Sequence, residues 1–285
     1  MYMKLIGRHI DYMGDLYKIP DYAKKYGYNI FQILLSNPRR IISRQRTASE
    51  LNQLHERLIC KNMFMFIHSS YTVNLCNPIT SSLHRLSVKS IVSDMTAAYK
   101  LGDRCLGVII HMGRNVKKNN ISDKQATLNY ITGIETILNT TQHTDLILEM
   151  GASQGTEINN TIEELANILK QLNNKHRKRI KICPDTCHLW ASGYMIDTGK
   201  NVDLFLKKFD RLIGIKKIKC IHLNNSMGPL NSHTDRHAGL KNGHIPIDGL
   251  IAFFRFATTN SIPIILETPT DSIGWRKELR GWEGG

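Results

Sequence analysis

Eight short apolar, β-branched runs alternate with stretches of helical length, and metal-competent side chains recur one residue past the ends of those runs. These observations predict an α/β fold. The expectation is a single (β/α)8 barrel spanning residues 1–285, with its active site at the C-terminal ends of the strands. The alternation implies parallel pairing and right-handed crossovers. Eight such units close into a barrel, whose functional side chains come from strand ends. The competing architecture, an open doubly wound sheet, usually has a glycine-rich turn after its first strand. Gly7-Arg8-His9 supplies none.

The elements follow in order. The first strand is expected over residues 5–10 and the second over 29–35, before a helix at 49–60 with Ser49 as its cap. The third strand, 63–68, contains MFMFI and delivers His68. Residues 81–102 carry Leu83, Leu86, Ile91, Met95 and Ala98 at helical spacing. The fourth strand, 105–111, ends with LGVII and His111. A helix at 123–139 leads to the fifth strand at 146–149, where DLIL precedes Glu149. Thr161 and Glu164 have capping-box spacing at the head of a helix over 161–172. The sixth strand, 181–184, precedes Asp185, and a helix at 201–213 follows. In the seventh, 218–223, KCI precedes His222. A helix at 247–258 leads to the eighth strand, 263–267, where PIIL precedes Glu267.

With 285 residues and 41% apolar content, the chain can bury the core of a barrel. No Gly/Ser- or Pro-rich linker divides it. No window reaches eighteen uncharged apolar residues, so no membrane-spanning helix is expected. The N-terminal MYMKLIGRHIDYMGD has a His and an Asp where a signal peptide needs its apolar stretch. An intracellular protein is expected, with its six cysteines mostly buried and reduced. Cys183 and Cys187 lack a second Cys pair at finger-like spacing, which disfavours a structural zinc knuckle. The formal charge is +14, from 38 Lys+Arg against 24 Asp+Glu. Basic runs such as RRIISRQR and KHRKRIK favour a polyanionic partner through steering and counterion release. Plain solubility is the simpler use of the same charge.

The candidate ligands are His68, His111, Glu149, Asp185, His188, His222, Asp235, His237 and Glu267. One zinc takes about three protein ligands plus water. The set therefore suffices for three ions if a carboxylate bridges, and N/O donors suit zinc or manganese. Two ions about 4 Å apart can activate a water and stabilise both oxygens of an in-line displacement. That chemistry points to a nuclease or phosphatase. Asp235 and His237 lie two apart in SHTDRHAG, so an extended loop presents both to one ion, and His233 shares that face. Asp185 and His188 in PDTCHLWASG have an alternative role as caps of the next helix. His9, His55, His84, His143, His176 and His244 lack such support and are expected in the core, on the surface or behind the ligands. One rival reading is a sugar or sugar-phosphate isomerase on the same barrel, needing fewer metals and no basic cleft. Another is a non-catalytic DNA-binding barrel, which has no use for so many ligands.

At these positions the chain resembles the endonuclease IV family of apurinic/apyrimidinic endonucleases. The resemblance rests on HSSYTVNL, IIHMG, ILEMGASQGTE, PDTCHLWASGY, HLNNS, DRHAG with GHI, and LETP, with a weaker match at NPRR. It implies a three-zinc TIM barrel acting on abasic sites in duplex DNA, with trimming of blocked 3′ ends. By resemblance, His68, His111 and Glu149 hold the first zinc, and Glu149 bridges to the second. Asp185, His222 and Glu267 complete the second, and His188, Asp235 and His237 hold the third, where manganese is a permitted variant. Glu149 and Glu267 are the expected catalytic carboxylates, with Glu267 orienting or deprotonating the nucleophile. Arg39 or Arg40 is expected to enter the minor groove, and Tyr71 to help fill the gap at the lesion. A monomer without membrane association is expected. Asn225 stands where the family usually has Asp, and is expected behind the ligands. Lys241 replaces a preferred Gly, and NPRR departs from the commoner form of the groove loop. The Lys-, Ile- and Asn-rich composition fits an AT-biased genome, such as that of a large DNA virus.

Overall fold

The computed structural model describes residues 4–11, 14–35, 37, 41, 45–269, 279 and 282. Strands β1 (Ile6–His9), β2 (Ile30–Ile33), β3 (Phe64–His68), β4 (Cys105–His111) and β5 (Leu146–Glu149) pair in parallel in sequence order. β6 (Ile180–Cys183) follows β5. At the other end of the order, β1 pairs with β10 (Ile264–Leu266), and β10 with β7 (Ile221–His222). The circle closes between β6 and β7 through the isolated parallel bridges Ile182↔Ile218 and Asp185↔His222. The predicted eight-stranded (β/α)8 barrel is therefore observed. A small antiparallel pair, β8 (Asn225–Ser226) and β9 (His237–Ala238), sits outside it.

The expected helices appear as α2 (Ala48–Lys61), α3 (Ser82–Lys100), α4 (Asp123–Thr140), α5 (Ile162–Gln171), α8 (Gly199–Leu212) and α9 (Ile247–Thr259). Three more were not delimited in advance: α1 (Ile19–Lys25), α6 (Asn174–Arg179) and α7 (Thr186–Ala191), the last foreseen only as a helix for Asp185 and His188 to cap. They are only 6 or 7 residues long, too short to show two turns of periodicity. The predicted Thr161–Glu164 capping box is present on α5. Ser49 is not the cap of α2, because Thr47 forms a full capping box with Glu50 two residues earlier.

Most apolar side chains pack between the helices and the outer face of the sheet. A separate cluster of Ile30, Phe66, Ile109, Ile147, Cys183, Cys220 and Ile265 fills the barrel interior. Gly7 lets β1 approach β2 closely, since a Cβ there would meet the Ile30 carbonyl oxygen at 1.6 Å. Five cysteines are buried and Cys60 is exposed. No helix among the described residues is long and apolar enough to cross a membrane.

Candidate metal centre

Strand side chains alternate between faces, so a residue two places beyond the interior plug points the same way. That step leads from Ile30 to Gln32, Phe66 to His68, Ile109 to His111 and Ile147 to Glu149. It also leads from Cys183 to Asp185, Cys220 to His222 and Ile265 to Glu267, and on β1 from Gly7 to His9. The barrel mouth thus carries a ring with one polar side chain per strand. Six of the nine candidate ligands lie in it. The other three come from above: His188 on α7, Asp235 on the loop between β8 and β9, and His237 on β9.

Glu149 is at the centre. Its Oε2 lies 3.0 Å from His68 Nε2 and 3.1 Å from His111 Nε2. Its Oε1 lies 2.9 Å from His222 Nδ1. The same His222 nitrogen is 3.4 Å from Glu267 Oε2 and 3.6 Å from Asp185 Oδ2. Above them, Asp235 Oδ1 lies 3.1 Å from His188 Nε2 and 3.5 Å from His237 Nε2. Three groupings of ligand atoms result: His68–His111–Glu149, Glu149–Asp185–His222–Glu267, and Asp185–His188–His237. Asp235 also groups with His237 and Cys187.

Four of the five imidazoles present a lone pair to these groupings, and the acceptor on the opposite ring nitrogen dictates it. His68 Nδ1 donates to the Ser69 carbonyl at 2.8 Å, and His188 Nδ1 to the Met150 carbonyl at 2.9 Å. His237 Nδ1 donates more weakly to the Glu267 carbonyl at 3.3 Å. His222 is reversed, with Nε2 donating to Gln32 Oε1 at 2.9 Å and Nδ1 facing the cluster. His188 Nε2 and His237 Nε2 are buried without a hydrogen-bond partner. Unpaired buried nitrogens are costly, and here they converge on carboxylates, as a cation site requires. These N/O donors fit divalent metal cofactors.

The titration behaviour agrees. Burial alone would raise Glu149, but the charges of His222 and His111 outweigh it and hold the carboxylate well below its usual range. Burial likewise opposes ionisation of Glu267, and the His222 charge and a His9 bond overcome it. Burial would lower His188 and His222, yet Asp185 and Asp235 raise the first well above its usual value, and Glu267 and Glu149 the second. His68 is the exception, since burial wins and lowers it. The cluster attracts positive charge, and a metal ion competes with protons for it.

Asp185 holds both roles left open by the sequence. Its Oδ1 caps α7 by accepting from His188 N at 3.1 Å, while Oδ2 faces His222 and His237. Asn225 was expected behind the ligands, but it instead braces its loop, with Nδ2 donating to the Leu240 and Ile245 carbonyls. The neighbouring Asn224 supports the cluster, donating to Asp185 Oδ2 at 2.7 Å and accepting from Glu267 N. His233 does not join Asp235 and His237 in any ligand grouping among the described residues. Its positive φ of 51° breaks the extended alternation. Cys183 lies with Cys220 and His222, not with Cys187, because the barrel stacks neighbouring strands.

The groupings open into a cavity of about 600 Å³, also lined by Arg8, His9, Tyr71, Arg114 and Arg236. Tyr71 stands at its rim, 45% exposed, with its ring tilted against His68 and His111. A cavity of about 690 Å³ bordered by α2 and α3 contains none of these groupings. Arg39 and Arg40 lie outside the described residues. Sequence reasoning missed the three cavity arginines, which follow no strand-end pattern. It also set His9 aside, although His9 ends β1 as His68 ends β3.

A family profile described as "Xylose isomerase-like TIM barrel" matches residues 20–284. A protein of Acanthamoeba polyphaga mimivirus, described as an endonuclease 4, is 46% identical over 269 residues, covering 94% of this chain and 86% of that protein. The chain belongs to the endonuclease IV family. The crystal structure of endonuclease IV from Thermus thermophilus superposes with a TM-score of 0.82 at 26% identity, covering 97% of each chain. A D-tagatose 3-epimerase-like protein matches with a TM-score of 0.71 at 16% identity, covering 98% of this chain and 97% of that one. That likeness concerns the barrel alone. The mimivirus relative is consistent with a viral member of the endonuclease IV family.

Proposed function

We propose that this endonuclease IV hydrolyses the phosphodiester 5′ to an abasic site in duplex DNA, leaving a 3′-hydroxyl and a 5′-deoxyribose phosphate. The same centre would trim blocked 3′ ends. The observation that carries the reading is Glu149, whose two oxygens face two different ligand groupings while a third lies alongside. We assign three zinc ions to these groupings, with manganese allowed at one. Bound there, they would supply water activation and neutralise charge developing on the phosphodiester. Glu267 would orient the attacking water, a role supported by Gln32 Nε2 holding its Oε1 at 2.6 Å and by Oε2 facing the His222 grouping. Tyr71 offers a ring to the gap left by a missing base, and Arg39 or Arg40 an insertion into the groove. Extrusion of the sugar is cheapest where the base is already lost. The cationic rim of Arg8, Arg114 and Arg236 suits a polyanion. We further propose a single catalytic domain over residues 1–285, acting as a monomer in an intracellular compartment.

A labelled duplex with one abasic site, incubated with and without chelator, tests the chemistry. The expected product carries a 3′-hydroxyl and disappears with chelation. Elimination 3′ of the lesion, or a trapped Schiff base, overturns the reading. Metal analysis should give three ions per chain, and full activity with one ion would overturn the trinuclear assignment.

A further inference from the structure

Six members of the ring at the barrel mouth are candidate ligands. The other two, Gln32 and His9, face it from adjacent strands, with His9 and Gln32 paired in register. Gln32 is fully buried and its amide orientation is determined. Glu267 Oε1, 2.6 Å from Nε2, can only accept, so the nitrogen must lie on that side. The amide oxygen therefore faces His222, and Nε2 also donates to His9 Nδ1 at 3.0 Å. One side chain thereby aligns Glu267, His222 and His9.

The consequence falls on His9. Nε2 carries a proton in the neutral ring that accepts at Nδ1, and equally in the imidazolium. That nitrogen is buried, has no hydrogen-bond partner and belongs to a ring that lines the basin. The His9 side chain is 8% exposed. The anion nearest to Nε2 is Asp11 Oδ1 at 3.6 Å, beyond hydrogen-bond reach and on a fully solvated carboxylate, while Nδ1 on the other side of the ring lies 3.6 Å from Glu267 Oε1. A buried, oriented and unpaired N–H beside a metal centre is a donor awaiting an acceptor. We infer that His9 is a substrate-contacting residue that donates Nε2–H to a phosphodiester oxygen, with Gln32 as its positioning residue. This assignment rests on the phosphodiesterase reading above.

The test uses His9→Phe, His9→Gln and Gln32→Leu in the zinc-loaded full chain. His9→Phe should keep the wild-type metal content and slow single-turnover cleavage of an abasic duplex about ten- to hundredfold, as for loss of one hydrogen bond to a charged group. His9→Gln, which retains a donor, should recover part of the rate. Gln32→Leu should show the same slowing and also release zinc to a competing chelator about 10–100-fold more readily. A second arm needs no cleavage. Inorganic phosphate is titrated into the zinc-loaded protein while imidazole ¹H–¹⁵N resonances are followed. The His9 Nε2–H signal should move in wild type and not in Gln32→Leu. Cleavage by His9→Phe at the wild-type rate, loss of its zinc, or a His9 resonance blind to phosphate would overturn the assignment. If wild type leaves the abasic duplex intact while phosphate still moves His9, the substrate reading fails and the anion contact stands.

Discussion

Replacing Asp94 with Asn should flatten one component of the protein's pH-dependent stability. Asp94 lies on α3, 6% exposed, and accepts from Ser69 Oγ at 2.9 Å. Burial pushes its carboxyl from 3.8 up to about 7, against the weaker opposing effect of the Ser69 bond. The folded protein therefore retains a proton that the unfolded chain releases. The sign follows: stability is intact below about pH 4, falls between about pH 4 and 7, and is level above. The span from 3.8 to about 7, at about 1.36 kcal/mol per pH unit, caps the loss at about 4 kcal/mol. Asp94→Asn removes this dependence and keeps an acceptor for Ser69. It leaves an amide N–H unpaired, at about 1–3 kcal/mol. The variant should exceed wild type by about 1–3 kcal/mol at pH 8 and be equal or weaker at pH 4. That corresponds to a few degrees in Tm at the alkaline end. Thermal unfolding of both proteins across pH 4–8, at equal metal loading, gives the difference with the metal contribution cancelled. Parallel Tm–pH curves would refute the reasoning.

Three further outcomes are expected. Glu267→Gln should slow single-turnover cleavage by about a hundredfold or more while abasic-duplex affinity stays near wild type, because misplacing the water costs rate before binding. Near-normal cleavage would remove Glu267 from the mechanism. Tyr71→Ala should narrow the affinity gap between abasic and intact duplex at unchanged zinc content, and an unchanged gap would exclude Tyr71 from lesion recognition. With a thiol-specific maleimide, native protein should react rapidly at Cys60 alone, since the other five are buried. Burial also raises thiols such as Cys76 and Cys105 to about 12. Rapid labelling of a second cysteine would contradict the burial of the other five.

The barrel was legible because its strands repeat one grammar, an apolar plug residue followed two positions later by a polar one. MFMFI-His68 and PIIL-Glu267 display it without any knowledge of the fold. What stayed hidden depended on contacts between strands distant in sequence. Gln32 reads as a polar interruption in an apolar strand until His222 and Glu267 stand beside it. His9 ends a strand as His68 does, but the glycine below it interrupts the apolar run that marked the others. Asn224 and Asn225 are adjacent and chemically identical, so only the direction of each side chain separates loop brace from ligand support. Asp185 could not be divided between cap and ligand in advance, because each oxygen takes one task.

The seam between β6 and β7 has a consequence for how the molecule breathes. Elsewhere the strands pair in ladders, bulged between β3 and β4 and short between β7 and β10, but here only two isolated bridges join the lips, and one of them is Asp185 to His222. Those two residues also share the central ligand grouping with Glu149 and Glu267. An ion seated there is a rivet across the weakest stave joint of the cask, fastening it from inside. Stripping the metal would then loosen architecture along with chemistry. Amide exchange at Ile182 and from Ile218 to His222 should quicken on depletion, while the β3–β4 ladder stays closed.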